Sequence, residues 1–573
     1  MPPVTSPNYS HPRQSLFGDI RGWAVNPWTV GALLVALLMA VPIAAVIVLA
    51  LAPSDDIWEH LVSTVLWKYT ETTLILMVGV GVGVSLIGTG TAWLVTMCRF
   101  PGRNVFNWAL LLPLAVPAYV LAFVITDQLE YAGTLQTFLR HLFGWTSRRD
   151  YWFPEIRSLG GAMIVMTLVL YPYVYLLARA AFLEQSICVL DVSRTLGKGP
   201  WQTFFRVALP LARPAIVIGI TLALMETLND LGTVEFFAVR TFTAGIYDVW
   251  LNMNSRSGAA QLATVMLTFA VTLIAAERMA RRGRRFHHTS SKYSALPSYP
   301  LSGIRAAGAF VACLLPIALG FLAPAAVLTG YAVRYYEETL SANYFDFVAN
   351  SFTLSISAAV GSVIVGLFMA YAVRLSNNPL LRAATRFASI GYAVPGAILA
   401  IGIIIPMGAF DNAVDVFLDT FGVSTGLLIS GTIAAVIYGY MARFLALSYG
   451  TMEASLAKIT PNMDGAARTL GHGPLSTLKR VHFPLMRGSL LTAGLLVFVD
   501  CMKELPLTII LRPFNYDTLA TFVFQYASDE LLEESALGAL TIVAAGIIPV
   551  ILLSWNIVHS RPGSGSTAME PGP

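Results

Sequence analysis

Charge is scarce in this chain: Asp, Glu, Lys and Arg make up 12% of its 573 residues, where soluble domains carry about a quarter. That scarcity argues against a soluble enzyme or a nucleic-acid-binding domain. The formal net charge of +4 adds little, because in membrane proteins the placement of Lys and Arg matters more than their sum. Cysteine is scarcer still, and Cys98, Cys188, Cys313 and Cys501 show no C-x-x-C spacing, so free thiols are expected rather than disulfides or a metal site. Also missing is any G-x-x-x-x-G-K-[ST] phosphate loop. The chain is therefore no P-loop ATPase, and if its work consumes ATP another polypeptide must hydrolyse it.

What fills the chain instead is apolar sequence, 56% of all residues. A bilayer-crossing helix needs about 20 mostly apolar residues. On that criterion spans are predicted near 28–52, 70–97, 105–126, 158–181, 214–233 and 259–276, then near 303–330, 350–373, 387–408, 423–448, 488–510 and 535–556. Such runs recur along the whole length, which argues against a cleaved leader ahead of a soluble domain. Basic residues follow spans two, six and eight (Arg99 and Arg103; Arg278, Arg281, Arg282, Arg284 and Arg285; Arg374, Arg382 and Arg386). Those loops are expected in the cytosol, and an even number of spans then places both termini there. The loop after span one, with Asp55, Asp56 and Glu59, and the loop ending in Asp529, Glu530, Glu533 and Glu534 are expected on the periplasmic side. Arg140, Arg148, Arg149 and Arg157 between spans three and four break the pattern, but longer loops are less sensitive to charge.

The two sets of spans resemble each other. AVPAYVLA at Ala115–Ala122 returns as AVPGAILA at Ala393–Ala400, and RTLGKGP at Arg194–Pro200 returns as RTLGHGP at Arg468–Pro474. Duplication is the simplest account. Copies with an even number of spans insert the same way up, related by an axis along the membrane normal, with a pathway expected between them. The organisation read from the sequence is a cytosolic tail over 1–27, a six-helix half over 28–277, a basic linker over 278–302, a second six-helix half over 303–557 and a cytosolic tail over 558–573.

Each half holds one long cytosolic stretch, 182–213 and 449–487, and each resembles the coupling loop of ABC importer permeases: E-A-A, three residues, Gly, nine residues, then I-x-L-P. The first copy runs Asp191-Val192-Ser193, Arg194, Thr195, Leu196, Gly197, and after nine residues Val207-Ala208-Leu209-Pro210. The second runs Gly465-Ala466-Ala467, Arg468, Thr469, Leu470, Gly471, and after nine residues Val481-His482-Phe483-Pro484. The acid of the pattern is Asp191 in the first copy and is displaced by one residue, to Asp464, in the second. A helix ending in Leu-Gly, with the glycine free to take a left-handed turn, followed by Gly-Pro and a second short helix, forms an elbow under the bilayer. In the family these elbows grip two copies of a cytosolic ATP-binding subunit, which carries the ATP and Mg.

The span after each loop ends in acids. Glu226 and Asp500 lie sixteen residues beyond Pro210 and Pro484, and Asp230 and Glu504 lie twenty beyond. A spacing of four predicts both acids of a pair on one helix face, and charges inside a membrane usually face a protein interior or an aqueous path. The segments ETLNDLGTVEFF and KELPLTIILRPFNYDTLA are similar to those of fused two-half permeases of the ferric iron ABC transporter family. The resemblance implies an all-α membrane protein of about 12 transmembrane helices in two six-helix halves, of type I ABC importer form, in the bacterial inner membrane. It implies no bond chemistry, no bound cofactor, and loading by a periplasmic iron-binding protein. Glu226, Asp230, Asp500 and Glu504 would line the pathway and meet the metal in transit, since hard Fe³⁺ prefers oxygen donors. Structural pairing of these acids is the competing expectation. A thiamine or polyamine permease would share the loops, whereas an ion-coupled secondary transporter would share the acids but need no matched elbows. The tyrosines Tyr119, Tyr171, Tyr173, Tyr392, Tyr438 and Tyr440 are expected to pack or to belt the interface.

Overall fold

The computed structural model describes residues 27–52, 57–184, 193, 195, 197, 199–281, 299–340, 342–376 and 378–559. Among them eleven helices are long and apolar enough to cross a membrane, or twelve if the pair Arg103–Ala115 and Ala118–Phe143, bent by 91°, is one span. The first half supplies α1 (Pro27–Ala50), α2 (Leu66–Met97), α3 (Ala118–Leu129), α4 (Leu159–Glu184), α5 (Leu209–Asn229), α6 (Gly232–Phe236), α7 (Phe242–Leu251) and α8 (Arg256–Arg281). The second half supplies α9 (Gly303–Ile317), α10 (Ala323–Arg334), α11 (Ala342–Leu375), α12 (Gly396–Asp419), α13 (Ile433–Lys458), α14 (Pro461–Thr469), α15 (Phe483–Met502), α16 (Pro506–Leu511), α17 (Leu519–Ser528) and α18 (Leu532–His559).

Each half is built on three packed helices, α2 with α4 and α5, and α11 with α13 and α15. Gly88 and Gly366 hold equivalent close crossings in the two halves. A Cβ at either would stand 2.9 Å from a backbone nitrogen of the neighbouring helix, Tyr175 or Tyr449. Bare backbone lets membrane helices approach this closely. The first helix of each half then reaches across to the other. Thus α1 packs on α12, where a Cβ on Gly402 would fall 2.1 Å from the Pro42 carbonyl. In the same way α9 lies on α2 and α10 lies on α3, with the Tyr331 hydroxyl donating to Asp127 at 2.5 Å.

Two wide i→i+5 turns occupy equivalent places, Phe204–Ala208 and Leu478–His482, each ending two residues before a proline, Pro210 or Pro484. A proline lacks an N–H and collides with the carbonyl four residues back, so a widened turn lets the helix pass without breaking. A third such turn, Ala318–Leu322, joins α9 to α10. Near the end of the linker, Tyr299–Pro300 forms a two-residue parallel bridge with Cys98–Arg99, and Leu301 N–H donates to the Arg99 carbonyl at 2.9 Å. The end of the linker and the loop after α2 therefore lie on one side of the molecule. Cys98, Cys313 and Cys501 are buried free thiols, and burial pushes the Cys98 thiol up to about 11. Cys188 lies outside the described residues.

Several span boundaries differ from those the sequence predicts, and two of the differences reshape the segment between spans. The span expected over 105–126 is broken at Val116-Pro117, and the one expected from 423 starts ten residues later, at Ile433. Carboxylates on α12 explain the second difference. Asp411 accepts from the amides of Ile429 and Ser430 and from the Ser430 hydroxyl, and Asp415 accepts from the amides of Thr425 and Gly426. The apolar stretch after Gly422 is thus folded back along α12 as a loop.

Candidate functional site: an acidic cavity between the halves

Both acid pairs stand where a spanning helix stops. Glu226 is in the last turn of α5 and Asp500 in the last turn of α15. The helix ends before the second acid of each pair, so the two do not share one helix face as their spacing predicts. Asp230 has extended backbone, φ −66° and ψ 125°. Its carboxylate accepts from Thr233 N–H at 2.9 Å, the Thr233 hydroxyl at 3.0 Å and Val234 N–H at 3.2 Å, capping α6. Glu504 does the same for α16, accepting from the amides of Leu507 and Thr508 at 3.1 and 3.2 Å and from the Thr508 hydroxyl at 3.1 Å. An acid that satisfies the orphan N–H groups of a new helix start stops the old helix and begins the next.

All four acids nevertheless line one cavity, which is walled by both halves. Two bases stand among them. Arg443 of α13 reaches Glu504 at 3.0 Å with both side chains 2% exposed, and Lys503 reaches Asp500 at 2.9 Å with the two 18% and 13% exposed. Asn229 ties the halves together here: its side-chain oxygen accepts from Arg443 at 2.6 Å and from Gly396 N–H at 2.7 Å. Tyr392 and Tyr173 stand near Glu226, and Tyr119 is on the wall with a buried hydroxyl that has no partner. Three of the six tyrosines expected to pack or belt thus pack beside the acids. Among the described residues no three His, Cys, Asp or Glu side chains converge on a metal position. The expected metal set of Glu226, Asp230, Asp500 and Glu504 is therefore not assembled, because two of the four are spent on helix starts.

The elbows lie at the other end of α5 and α15. Gly197 and Gly471 both take left-handed backbone, φ 71° and 82°. In the second elbow the Gly471 and His472 amides return to the carbonyls of Arg468 and Ala467, closing α14 as a glycine C-cap does. Arg468 is exposed, whereas Asp464 is turned inward, to Arg374 Nη2 at 2.8 Å and His482 Nε2 at 2.7 Å. That carboxylate fastens the elbow to α11 and to the start of α15. Tyr371 of α11 lies against His482 there, ring centroids 5.3 Å apart. The equivalents of Tyr371, Arg374 and His482 in the first half are Trp93, Thr96 and Ala208, and there the contact is aromatic, with Trp93 5.6 Å from Phe182 and 4.9 Å from Phe204. Asp191 and Arg194 lie outside the described residues. Apolar side chains stand exposed at both elbows, Trp201 at 70% and Leu470 at 76%.

Residues 81–285 match the family of binding-protein-dependent transport system inner membrane components. The molybdenum transport system permease protein ModB of Escherichia coli (strain K12) is 30% identical over 200 residues, 34% of this chain and 84% of that protein. The chain belongs to this family. Over far more of the permease, the Fe(3+)-transport system permease protein FbpB 2 of Haemophilus influenzae is 24% identical across 487 residues, 84% of this chain and 88% of that protein. The ferric transport system permease protein FbpB of Actinobacillus pleuropneumoniae is 21% identical, covering 82% and 69%. A bacterial alginate ABC transporter solved in complex with alginate pentasaccharide-bound periplasmic protein is similar to 45% of the permease at 14% identity and a TM-score of 0.36, too distant to bear on cargo. The permease is thus a multi-pass membrane transport component that works with a binding protein. Arg443 is the site residue that the spacing of motifs does not reveal. Its signal is a lone arginine inside an apolar span, a placement that by itself marks an intramembrane partner.

Proposed function

We propose that this permease carries ferric iron from a periplasmic binding protein into the cytosol of a bacterial cell, driven by two copies of an ATP-binding subunit held by the elbows. The observation that carries the cargo is the cavity on the axis between the halves, lined by four carboxylates and two bases. With all groups ionised it holds a net charge of −2, the four acids less the two bases, and its other polar groups are phenol and amide oxygens that suit a hard cation. Relatives named for ferric iron cover nearly the whole chain. Other relatives are named for molybdenum and sulfate, but an anion such as sulfate is repelled by this cavity. Glu226 and Asp500 are the pathway acids, because they alone of the four are not bound to backbone N–H groups. Both termini and the linker face the cytosol in this reading, and the exposed Trp201 and Leu470 suit docking of the ATP-binding subunits.

The test is uptake of radiolabelled iron by cells carrying Glu226→Gln, Asp500→Asn or both. Uptake in the double variant is expected to fall at least about tenfold, with the detergent-extracted complex at wild-type yield. Full uptake in the double variant, or uptake lost only in proportion to protein, would refute the pathway. Uptake of radiolabelled sulfate in place of iron would refute the cargo.

A further inference from the structure

The two bases in the cavity are held in different ways. Arg443 is fixed: it is fully buried, paired with Glu504 and bonded to Asn229 of the other half. Lys503 sits at the turn between α15 and α16, φ −103° and ψ 1°, and Asp500 is its one salt-bridge partner among the described residues. Its side chain and that of Asp500 keep contact with the open cavity. The Glu226 carboxylate also acts electrostatically on its ammonium. The repeat offers a comparison at this position, since Lys503 corresponds to Asn229, which is locked by the Gly396 amide and by Arg443. So one side of the axis carries a fixed amide and the other a cation on a flexible four-carbon stem. The Tyr119 hydroxyl, on a residue 4% exposed, lacks any partner on the same wall. A buried hydroxyl without a partner is costly unless something visits it.

We propose that Lys503 is a tethered counter-cation, whose ammonium holds in the empty permease the place beside Asp500 and Glu226 that a cargo cation takes in transit. The inference rests on the cation-pathway reading above. An ammonium satisfies Asp500 while no cargo is present, so the acids do not face the cavity as bare charges and do not trap a stray cation. A trivalent ion outcompetes a single ammonium for two carboxylates and the phenol oxygens around them. The lysine then swings aside, and its return displaces the ion. The transported cation and Lys503 therefore exclude each other.

Terbium(III) tests this, being a hard trivalent ion whose luminescence is excited through nearby tyrosine rings. The sample is the permease purified with its ATP-binding subunits. Lys503→Gln is expected to bind terbium about tenfold more tightly than wild type, Lys503→Arg to bind no more tightly than wild type, and Lys503→Gln combined with Asp500→Asn to lose the gain. In the wild-type protein, saturating terbium is expected to raise acetylation of Lys503, read by mass spectrometry, several-fold. That measurement stands if the variant fails to assemble. Equal terbium affinity in Lys503→Gln and wild type, a gain that persists without Asp500, or acetylation unchanged by terbium would overturn the proposal. If iron uptake depends on Glu226 and Asp500 but terbium affinity does not depend on Lys503, the pathway stands and the tether falls. If uptake is indifferent to the two acids, the pathway itself falls.

Discussion

The four acids of the cavity divide by what their oxygens already do. Glu504 and Asp230 hold helix starts, so their removal is a loss of structure, and the two losses differ in size. Glu504→Gln leaves Arg443 as a buried charge without its counter-ion, a change that costs about 3–5 kcal/mol. Asp230→Ala removes a cap worth about 1 kcal/mol. Thermal unfolding of the purified complex should therefore show a large drop for Glu504→Gln, a small one for Asp230→Ala and none for Glu226→Gln; equal drops for all three would contradict this division. Sequence spacing finds all four acids, because it is copied intact between the halves. It does not separate their roles, because the roles depend on where each helix stops. The stop is set by threonine and backbone partners at Thr233, Leu507 and Thr508 that are ordinary residues when read alone. Arg443 escapes for a related reason: its partner Asn229 lies 214 positions away, in the other copy.

At the scale of elements, the left-handed elbow glycines and the widened turns recur in both halves. Gly471 has open space around the position of a Cβ, so an alanine there is disfavoured only by its left-handed backbone, at about 1–2 kcal/mol. Gly197 is alike in both respects. Gly197→Ala with Gly471→Ala should thus insert and extract normally yet lose most of the ATP-binding subunit on affinity purification. Undiminished co-purification would exclude the elbows as the grip. The elbow and its glycine are legible in sequence, since a left-handed glycine before Gly-Pro leaves the chain few alternatives. The widened turns are less so. A proline inside an apolar run signals a kink, a break or a bulge alike, and only packing against α2 or α11 selects among them. The inward turn of Asp464 is hidden for the same reason, as Arg374 comes from a helix that ends 89 residues earlier.

For the molecule as a whole, the exchange of first helices decides how the halves depend on each other. A chain divided within residues 282–298 and expressed as two polypeptides should assemble and transport, whereas either piece alone should be degraded, because α1 and α9 find their neighbours on the opposite piece. Stable accumulation of one piece by itself, seen by immunoblot of membranes, would contradict this. The duplication is plain in the sequence, but the exchange is not. Helix α1 is apolar on every side, so nothing in its pattern states which surface it covers. The same exchange puts the chain under a timing constraint during synthesis. Helix α1 is made first, and the surface it covers on α12 emerges about 350 residues later, which at about 5–20 residues per second is roughly 20–70 seconds. Within its own half α1 has α8 to pack against, but throughout that interval the backbone groove around Pro42 that later receives Gly402 is still open. The growing permease is therefore most exposed to membrane proteases and to wrong helix partners before its second half exists, and a substitution in α12 that slows docking of α1 would act on the amount of permease made rather than on its rate of transport.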